Sequence, residues 1–482
     1  MSLTIGGVAF LISILVILIK NCHSFEKEFQ AMFLFSIITG ILLDVGYVGK
    51  IGEFEILFNY VASVITFVIS LGVIIKHHGD YSMTIWMSLF VLEVITGIAL
   101  TLIFSKTYQT VTFQDSWDTV FAKSITPSNI GVQFSQLTIM LGRIILFFLN
   151  LTAFKLSCNR LWVFKSFNFF YKIGWLIILL SIVELILDNA VSASLFREFI
   201  YTIFGKSEST YDIPRQVGGI YVPLLTAREP SKIGIVYFAF ALNSIFILER
   251  RRYKLTTIVY FFLMVLFLAS GGALSSIIYL LALIFSLIFV SKNKMIAISF
   301  CIILSIPAGL VVFSLFGSRI TDLLTNFSLF SKGIQYLPVN SEIVRMYSIY
   351  NNLKLFLHSP ILGIGLGIGY SFSGLVTTLT NIGIAGLFIW IGALFSSVLK
   401  LKFKRSSLIF GIVVYLFTFS LVNHMGEMTY QDKSFFIFIC LCSLNPKEKR
   451  LFTISKYLNR KLAVFSLSEG KQNIDKKTSM ML

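Results

Sequence analysis

Apolar runs of about 17–25 residues, each long enough to cross a hydrocarbon core, recur along almost the whole chain. They lie near 3–19, 29–49, 55–76, 82–104, 134–154, 173–189, 232–249, 255–269, 272–291, 295–316, 373–399, 406–423 and 434–445. Counting about thirteen (12–14) such runs predicts an all-α polytopic membrane protein. Composition excludes a soluble alternative. Hydrophobic residues make up 56% of the 482 and charged ones 13%, with mean hydropathy +0.85; soluble domains of this length carry far more charge. The first run has neither a basic start nor an A-x-A site, so it reads as a retained span, not a cleaved leader.

The formal charge of +17 would suit a nucleic-acid binder, but its distribution argues otherwise. Lys155, Arg160, Lys165 and Lys172 fill one connection, "ERRRYK" (Glu249 to Lys254) the next but one, Lys292 and Lys294 another, and "KLKFKR" (Lys400 to Arg405) another. Basic residues in alternate connections orient a membrane protein, and those after the last span place the C-terminus in the cytoplasm. The longer loops, near 105–133, 190–231 and 317–372, then face the outer side. The predicted organisation is membrane helices over 1–190, an outer loop 191–231, helices over 232–316, a large outer loop 317–372, helices over 373–445 and a basic cytoplasmic tail 446–482. Cys22 and Cys158 fall in cytoplasmic connections and Cys301, Cys440 and Cys442 in or at spans, a pattern without a disulfide framework or a cysteine metal site.

Motifs for nucleotide hydrolysis, zinc hydrolysis and serine esterases are absent: no G-x-x-x-x-G-K-[ST], no H-E-x-x-H, no G-x-S-x-G. What stands out is "HSPILGIGLGIGY", His358 to Tyr370, with glycine at every second position. Period-two glycine lines no helix face and weakens helix and strand alike. The plainer reading is a tightly packed or re-entrant segment that returns the third outer loop to the membrane.

The outer loops also concentrate arginine. "YDIPRQVGGIYVPLLTAREPSKIG" carries Arg215, Arg228 and Glu229; the third loop contains Arg319, where it leaves a span, and Arg345 in "SEIVRMYSIYNNLKLF". Arginine's planar fork donates two parallel hydrogen bonds and keeps its charge, which suits a lipid-linked diphosphate at the membrane surface. The same residues equally suit anchoring to headgroups or to Glu198, Glu208, Asp212 and Glu342. Arg143 sits mid-span, where a charge requires a partner or a wet cavity; Glu93, Glu184 and Asp188 are candidate partners, and a cationic wall for an anionic headgroup is the alternative. His358, His424, Glu229 and Glu427 lie on the outer side and are candidate bases. No metal or other cofactor is implied, since the outer loops hold no acidic ligand cluster.

The stretch "VRMYSIYNNLKLFLHSPILGIGLGIGYSFSGLVTTLTNIGIAGLFIW" resembles the signature of the O-antigen polymerase and ligase superfamily: Arg345, an amphipathic stretch, a turn with Pro360, Gly363 and Gly365, then a span with Gly383 and Gly386. "RQVGGIYVPLLTAREPSKIGI" is similar to the family's other loop arginine region, and the likeness covers roughly 210–400. It implies a GT-C-like bacterial inner-membrane protein with its active site on the periplasmic side. The implied activity is polymerisation of undecaprenyl-diphosphate-linked oligosaccharide repeat units into O-antigen or capsule by glycosyl transfer. Implied catalytic residues are Arg215, Arg345, Glu229 and His358. Substrate would be bound by Arg215, Arg228, Arg319, Arg345, Arg143, Tyr370, Gly363 and Gly365. Membrane lipids are implied partners, nucleic acid is not, and a chain-length regulator protein is a further allowed one. Ligases carry a His-Asn pair ahead of the glycine matching Gly383, and here Phe372 and Ser373 stand there, which favours a polymerase. A ligase, and from another class a flippase for the same lipid-linked sugars, remain the alternatives.

Overall fold

The computed structural model describes residues 2–42, 47–52, 54–104, 109–110, 128–129, 134–192, 194–206, 216–217, 220–221, 223, 225, 230–251, 255–270, 274–290, 341–366, 373–420 and 432–444. These are mostly helical. In chain order the helices are α1 (Ile5–Asn21), α2 (Phe25–Leu42), α3 (Phe58–Lys76), α4 (Tyr81–Phe104), α5 (Phe134–Ser157), α6 (Arg160–Ala190), α7 (Leu195–Phe204), α8 (Pro230–Arg251), α9 (Leu255–Ser270), α10 (Leu274–Val290), α11 (Ser341–His358), α12 (Gly374–Val398), α13 (Arg405–Ser420) and α14 (Asp432–Ser443). Among them Tyr81–Ala99, Arg160–Ala190 and Gly374–Leu401, the last including a short 3-10 turn, are long and apolar enough to cross a membrane; seven shorter helices are also apolar. The expected span 295–316 and the tail 446–482 lie outside the described residues.

Two expected spans are corrected. The run 29–49 splits into α2, which ends at Leu42, and strand Tyr47–Ile51; the run 55–76 opens as strand Phe54–Leu57 before α3 begins. The strands pair antiparallel with Lys50 opposite Glu55, and Ser2–Leu3 adds a third strand against Gly49 and Lys50. The Lys50–Glu55 ion pair, at 3.0 Å, lies across this register. Glycines 46, 49 and 52 explain the interruption, because each weakens a helix, and Gly52 turns the chain at φ +61°. A small sheet is thus appended to an otherwise helical chain.

A second correction concerns the connection expected at 155–172. Helix α6 starts at Arg160, and Asn159 caps it by accepting from the Trp162 amide at 2.9 Å. Lys165 and Lys172 therefore sit on the helix, on its exposed stripe, while Phe164, Phe167, Phe170 and Tyr171 fill the buried one. One-sided placement of charge is what allows a helix this long to stay packed.

Packing is dominated by aromatic interdigitation. Every residue of α8 from Ile233 to Leu248 is buried, against α6, α9, α10 and α14, as an all-round apolar helix requires. Helices α4, α5 and α12 are clamped together at Trp390, whose ring stacks on Phe147 at 4.5 Å and meets Phe148 edge-on at 6.0 Å, with Phe90 at 6.2 Å. Lipid tails are as apolar as these rings, so what holds the helices together is contact geometry, each aromatic pair adding about 0.5–1.5 kcal/mol, and not transfer out of water.

The short connections gather at one end. Lys155 Nζ donates to Asp80 Oδ1 at 2.8 Å, to Ser396 Oγ at 3.3 Å and to Ser82 Oγ, tying the starts and ends of α5, α4 and α12. Lys400 reaches the Leu156 carbonyl at 3.2 Å. Burial raises the Asp80 carboxyl, but the Lys155 ammonium and the Met83 amide outweigh it and hold the group below its usual range. At the same end Glu26 accepts from Ser24, Lys76 and His77. The Ser24 hydroxyl, then the Lys76 ammonium, bring its carboxyl from 4.5 to about 2. A depressed carboxyl stabilises the fold above its unfolded value, and that contribution fades as pH falls from 4.5 to about 2. In detergent, the thermal midpoint of wild type should therefore exceed that of Glu26→Gln at neutral pH, the gap closing below about 4.5. A gap that stays constant through acid would show that Glu26 carries no such linkage.

The candidate site at a broken helix

Helix α11 exists because its apolar and small polar residues recur at helical spacing: Tyr347, Ser348, Asn352 and Leu355 are buried, while Leu353, Lys354, Leu357 and His358 face outward. The buried stripe packs on α12. Position 345 falls on the same helix, three residues before Ser348 and seven before Asn352.

After His358 the chain turns at Ser359–Leu366. Gly363 (φ +71°) and Gly365 (φ +109°) occupy backbone regions that L-residues avoid. The turn has a partner, because α12 is not continuous: Gly383 has φ 61° and ψ −168°, so a helical half ends near Asn381 and a second begins near Ile384. Breaking a helix frees carbonyls on one side and amides on the other, and the turn takes both. The amides of Ile364 and Gly365 donate to the carbonyls of Thr380 and Asn381 at 2.7 and 3.1 Å, while the carbonyls of Pro360 and Ile361 accept from the amides of Ile384 and Ala385 at 2.9 and 3.0 Å.

Glycine is needed on both surfaces of this joint. A Cβ at Gly383 would stand 2.1 Å from the Ile361 oxygen, and one at Gly363 2.5 Å from the Asn381 carbonyl carbon and oxygen. From the other side, Gly97 of α4 brings its backbone close to Leu362, 3.3 Å from its oxygen to where a Cβ would stand. Irregular backbone thus packs on the broken helix: Gly363 to Leu366 are buried there, while Pro360 and Ile361 stay exposed. Gly383 lies about 22 Å along α12 from the end where the basic connections meet.

Between α11 and the first half of α12 runs a seam of uncharged polar side chains. Ser348, Asn352, Ser373, Thr377, Thr378, Thr380 and Asn381 are each at most 3% exposed. Thr380 Oγ1 donates to the Asn352 carbonyl at 3.0 Å, crossing between the helices, and to Val376 O at 2.8 Å. Ser373 caps α12 by accepting from the Val376 amide at 3.2 Å. Such an arrangement supplies hydrogen bonds without charge.

The predicted site residues are thus placed as follows. Gly363 and Gly365 are in the turn and buried; their amides donate to Ser359 O and Asn381 O and so are committed within the chain. His358 closes α11 on its exposed side. Arg345 is on α11 and Arg143 midway along α5. Arg215, Arg228, Glu229, Arg319 and Tyr370 lie outside the described residues, as do His424 and Glu427. The segment after Arg215 forms a short hairpin, Gln216–Val217 with Ile220–Tyr221. Asn189 holds it, donating to the Tyr221 carbonyl at 2.9 Å and accepting from its amide at 2.8 Å.

Two of the acids offered as partners for Arg143 also hold backbone amides. Glu184 accepts from the Leu225 amide at 2.6 Å and Asp188 from the Phe196 amide at 3.2 Å, so both grip the loop that follows α6. Among the described residues Glu93 has no hydrogen-bond partner on either oxygen. One cation is absent from the sequence reading: Arg197, only 3% exposed on α7 and close enough to Asp188 to act on its charge. No protein-family model matches the chain, and no curated protein matches it.

Proposed function

We propose that the chain is a glycosyltransferase of about thirteen membrane spans, GT-C-like, that polymerises undecaprenyl-diphosphate-linked oligosaccharide repeat units at the periplasmic face of a bacterial inner membrane. The observation that carries the reading is the re-entrant joint: a helix bearing Arg345 leads into a glycine turn that plugs the broken α12 toward the end remote from the basic connections. That depth suits a substrate whose diphosphate stays at headgroup level while its lipid tail remains in the bilayer. Arg215 and Arg345, with Arg319, Arg228 and Arg143 in support, would neutralise the leaving diphosphate as the acceptor hydroxyl attacks the anomeric carbon with inversion. His358 and Glu229 are the candidate proton acceptors. Gly363 and Gly365 shape the joint, and Tyr370 follows it.

A transporter of the same lipid-linked sugars is the second reading with an observation behind it, since broken helices are a transporter feature. There the freed backbone groups face substrate or ion; at this break four of them are hydrogen-bonded to the turn, which favours a fixed scaffold. The ligase reading lacks its His-Asn pair, and Ser373 in that place is a helix cap.

Deleting the gene in its own host and resolving the surface glycan on a gel separates the three. Collapse of the ladder to a single repeat unit on the lipid core is the expected result. Bare core with polymer accumulating on its lipid carrier would indicate a ligase, bare core with unpolymerised units held inside a flippase, and an unchanged ladder would remove the family reading.

A further inference from the structure

Glu93 is the one acidic residue of α4. It is 6% exposed, and among the described residues neither carboxyl oxygen has a hydrogen-bond partner. Three residues earlier, Phe90 is held against Phe148 at 5.4 Å and Trp390 at 6.2 Å; four residues later, Gly97 touches the glycine turn. The acid is therefore fixed between the aromatic clamp and the re-entrant joint. Helix α12, which packs most closely on α4, has no charged or titratable residue, and neither does the turn Ser359–Leu366. His358, just before the turn, is exposed. On α4 itself the only other titratable group is Tyr81, at the basic end and 84% exposed. Helix α5 contributes Lys155, which is bound to Asp80, and position 143.

Register gives the height of that last position. Phe90 meets Phe148 on antiparallel helices; Glu93 lies about 4.5 Å further along α4, and position 143 about 7.5 Å further along α5 in the same direction, so they differ in height by about 3 Å. A carboxylate in an apolar interior needs a counter-charge or hydrogen-bond donors. Among the described residues Glu93 has neither.

We propose that Glu93 is a proton-binding site in the interior of the bundle, and that the structure represents its proton-loaded state. Loss of the proton would create a carboxylate with position 143 of α5 at about the same height. Where Arg143 assists the lipid diphosphate, a clause that rests on the polymerase reading, a loaded Glu93 leaves that charge to the substrate and an unloaded one competes for it.

The test uses purified full-length protein and no assay of activity, so its failure is distinct from failure of the polymerase reading. Infrared spectra of wild type and Glu93→Gln are compared across pH. A protonated-carboxyl carbonyl band present in wild type at neutral pH, missing from the variant and lost as the medium becomes alkaline, is the expected result. Spectra that do not differ in this region at neutral or mildly acidic pH overturn the proposal.

Should the variant fail to fold, dicyclohexylcarbodiimide on wild type decides. The acid O–H adds across one C=N bond of the reagent and the acyl group migrates to nitrogen, giving an N-acylurea with nothing lost. A Glu93 adduct at neutral pH that declines in alkali supports the site, and its absence at every pH overturns it.

Discussion

Gly383→Ala is expected to leave little monodisperse protein in detergent and to lower the stability of what remains by about 4 kcal/mol. Two independent costs add. The backbone there, φ 61° and ψ −168°, belongs to a region open essentially to glycine alone, and forcing another residue into it costs about 1–3 kcal/mol. The new Cβ would also stand 2.1 Å from the Ile361 oxygen and 2.6 Å from the Gly363 nitrogen. Those are backbone atoms already fixed by four hydrogen bonds across the joint, so relief means displacing the turn, another roughly 1–3 kcal/mol of overpacking. Set against a typical total of about 5–15 kcal/mol, this is severe. Gly142→Ala is the control: nothing stands within 4 Å of where its Cβ would be, and replacing a helical glycine by alanine there should be neutral or stabilising by about 0.5–1 kcal/mol. Equal thermal midpoints for Gly383→Ala and wild type would show that α12 is not broken at this place.

Arg345→Ala should abolish long-chain glycan while leaving a folded, inserted protein. The position lies on α11 one turn before Ser348, on the helix that leads to the joint, and every seam side chain described there is uncharged. Removing a preorganised donor from a developing anion costs about 2.7–4 kcal/mol, or 10²–10³ in rate, and chain growth compounds that loss at every addition. Arg215→Ala should behave in the same way. Arg345→Lys should restore shorter chains at best, because an ammonium keeps the charge but not the two-pronged geometry. A variant that fails by misfolding would instead lower protein level in the membrane.

Much of the bundle was legible because a hydrocarbon core imposes a length on every run that crosses it. Runs such as 82–104 and 255–269 coincide with α4 and α9 to within a residue. Hydropathy failed where it averaged over unlike neighbours. "YVGKI" and "FEIL" are apolar enough to merge with the helices beside them, and only their pairing across Gly52 makes them strands. Lys165 and Lys172 diluted the first half of α6, although both lie on its exposed stripe.

At the site, period-two glycine correctly announced a non-helical segment, since no regular element uses that spacing. Its partner was hidden. Gly383 reads as an ordinary small residue in a span, and nothing in composition distinguishes a glycine that packs from one that breaks the backbone. The preceding "TTLTN" was the available hint, a polar half followed by an apolar half. Glu93 illustrates the converse: sequence supplies a charged partner at matching depth, while only coordinates reveal that the carboxyl stands alone among the described residues.

The central claim is that the Arg345 helix and the glycine joint form the site of repeat-unit polymerisation. Its most direct measurement is the surface glycan of the deletion strain carrying Arg345→Ala at wild-type protein level in the membrane. A single repeat unit on the lipid core, with no ladder above it, is the predicted result; a full wild-type ladder would contradict the account.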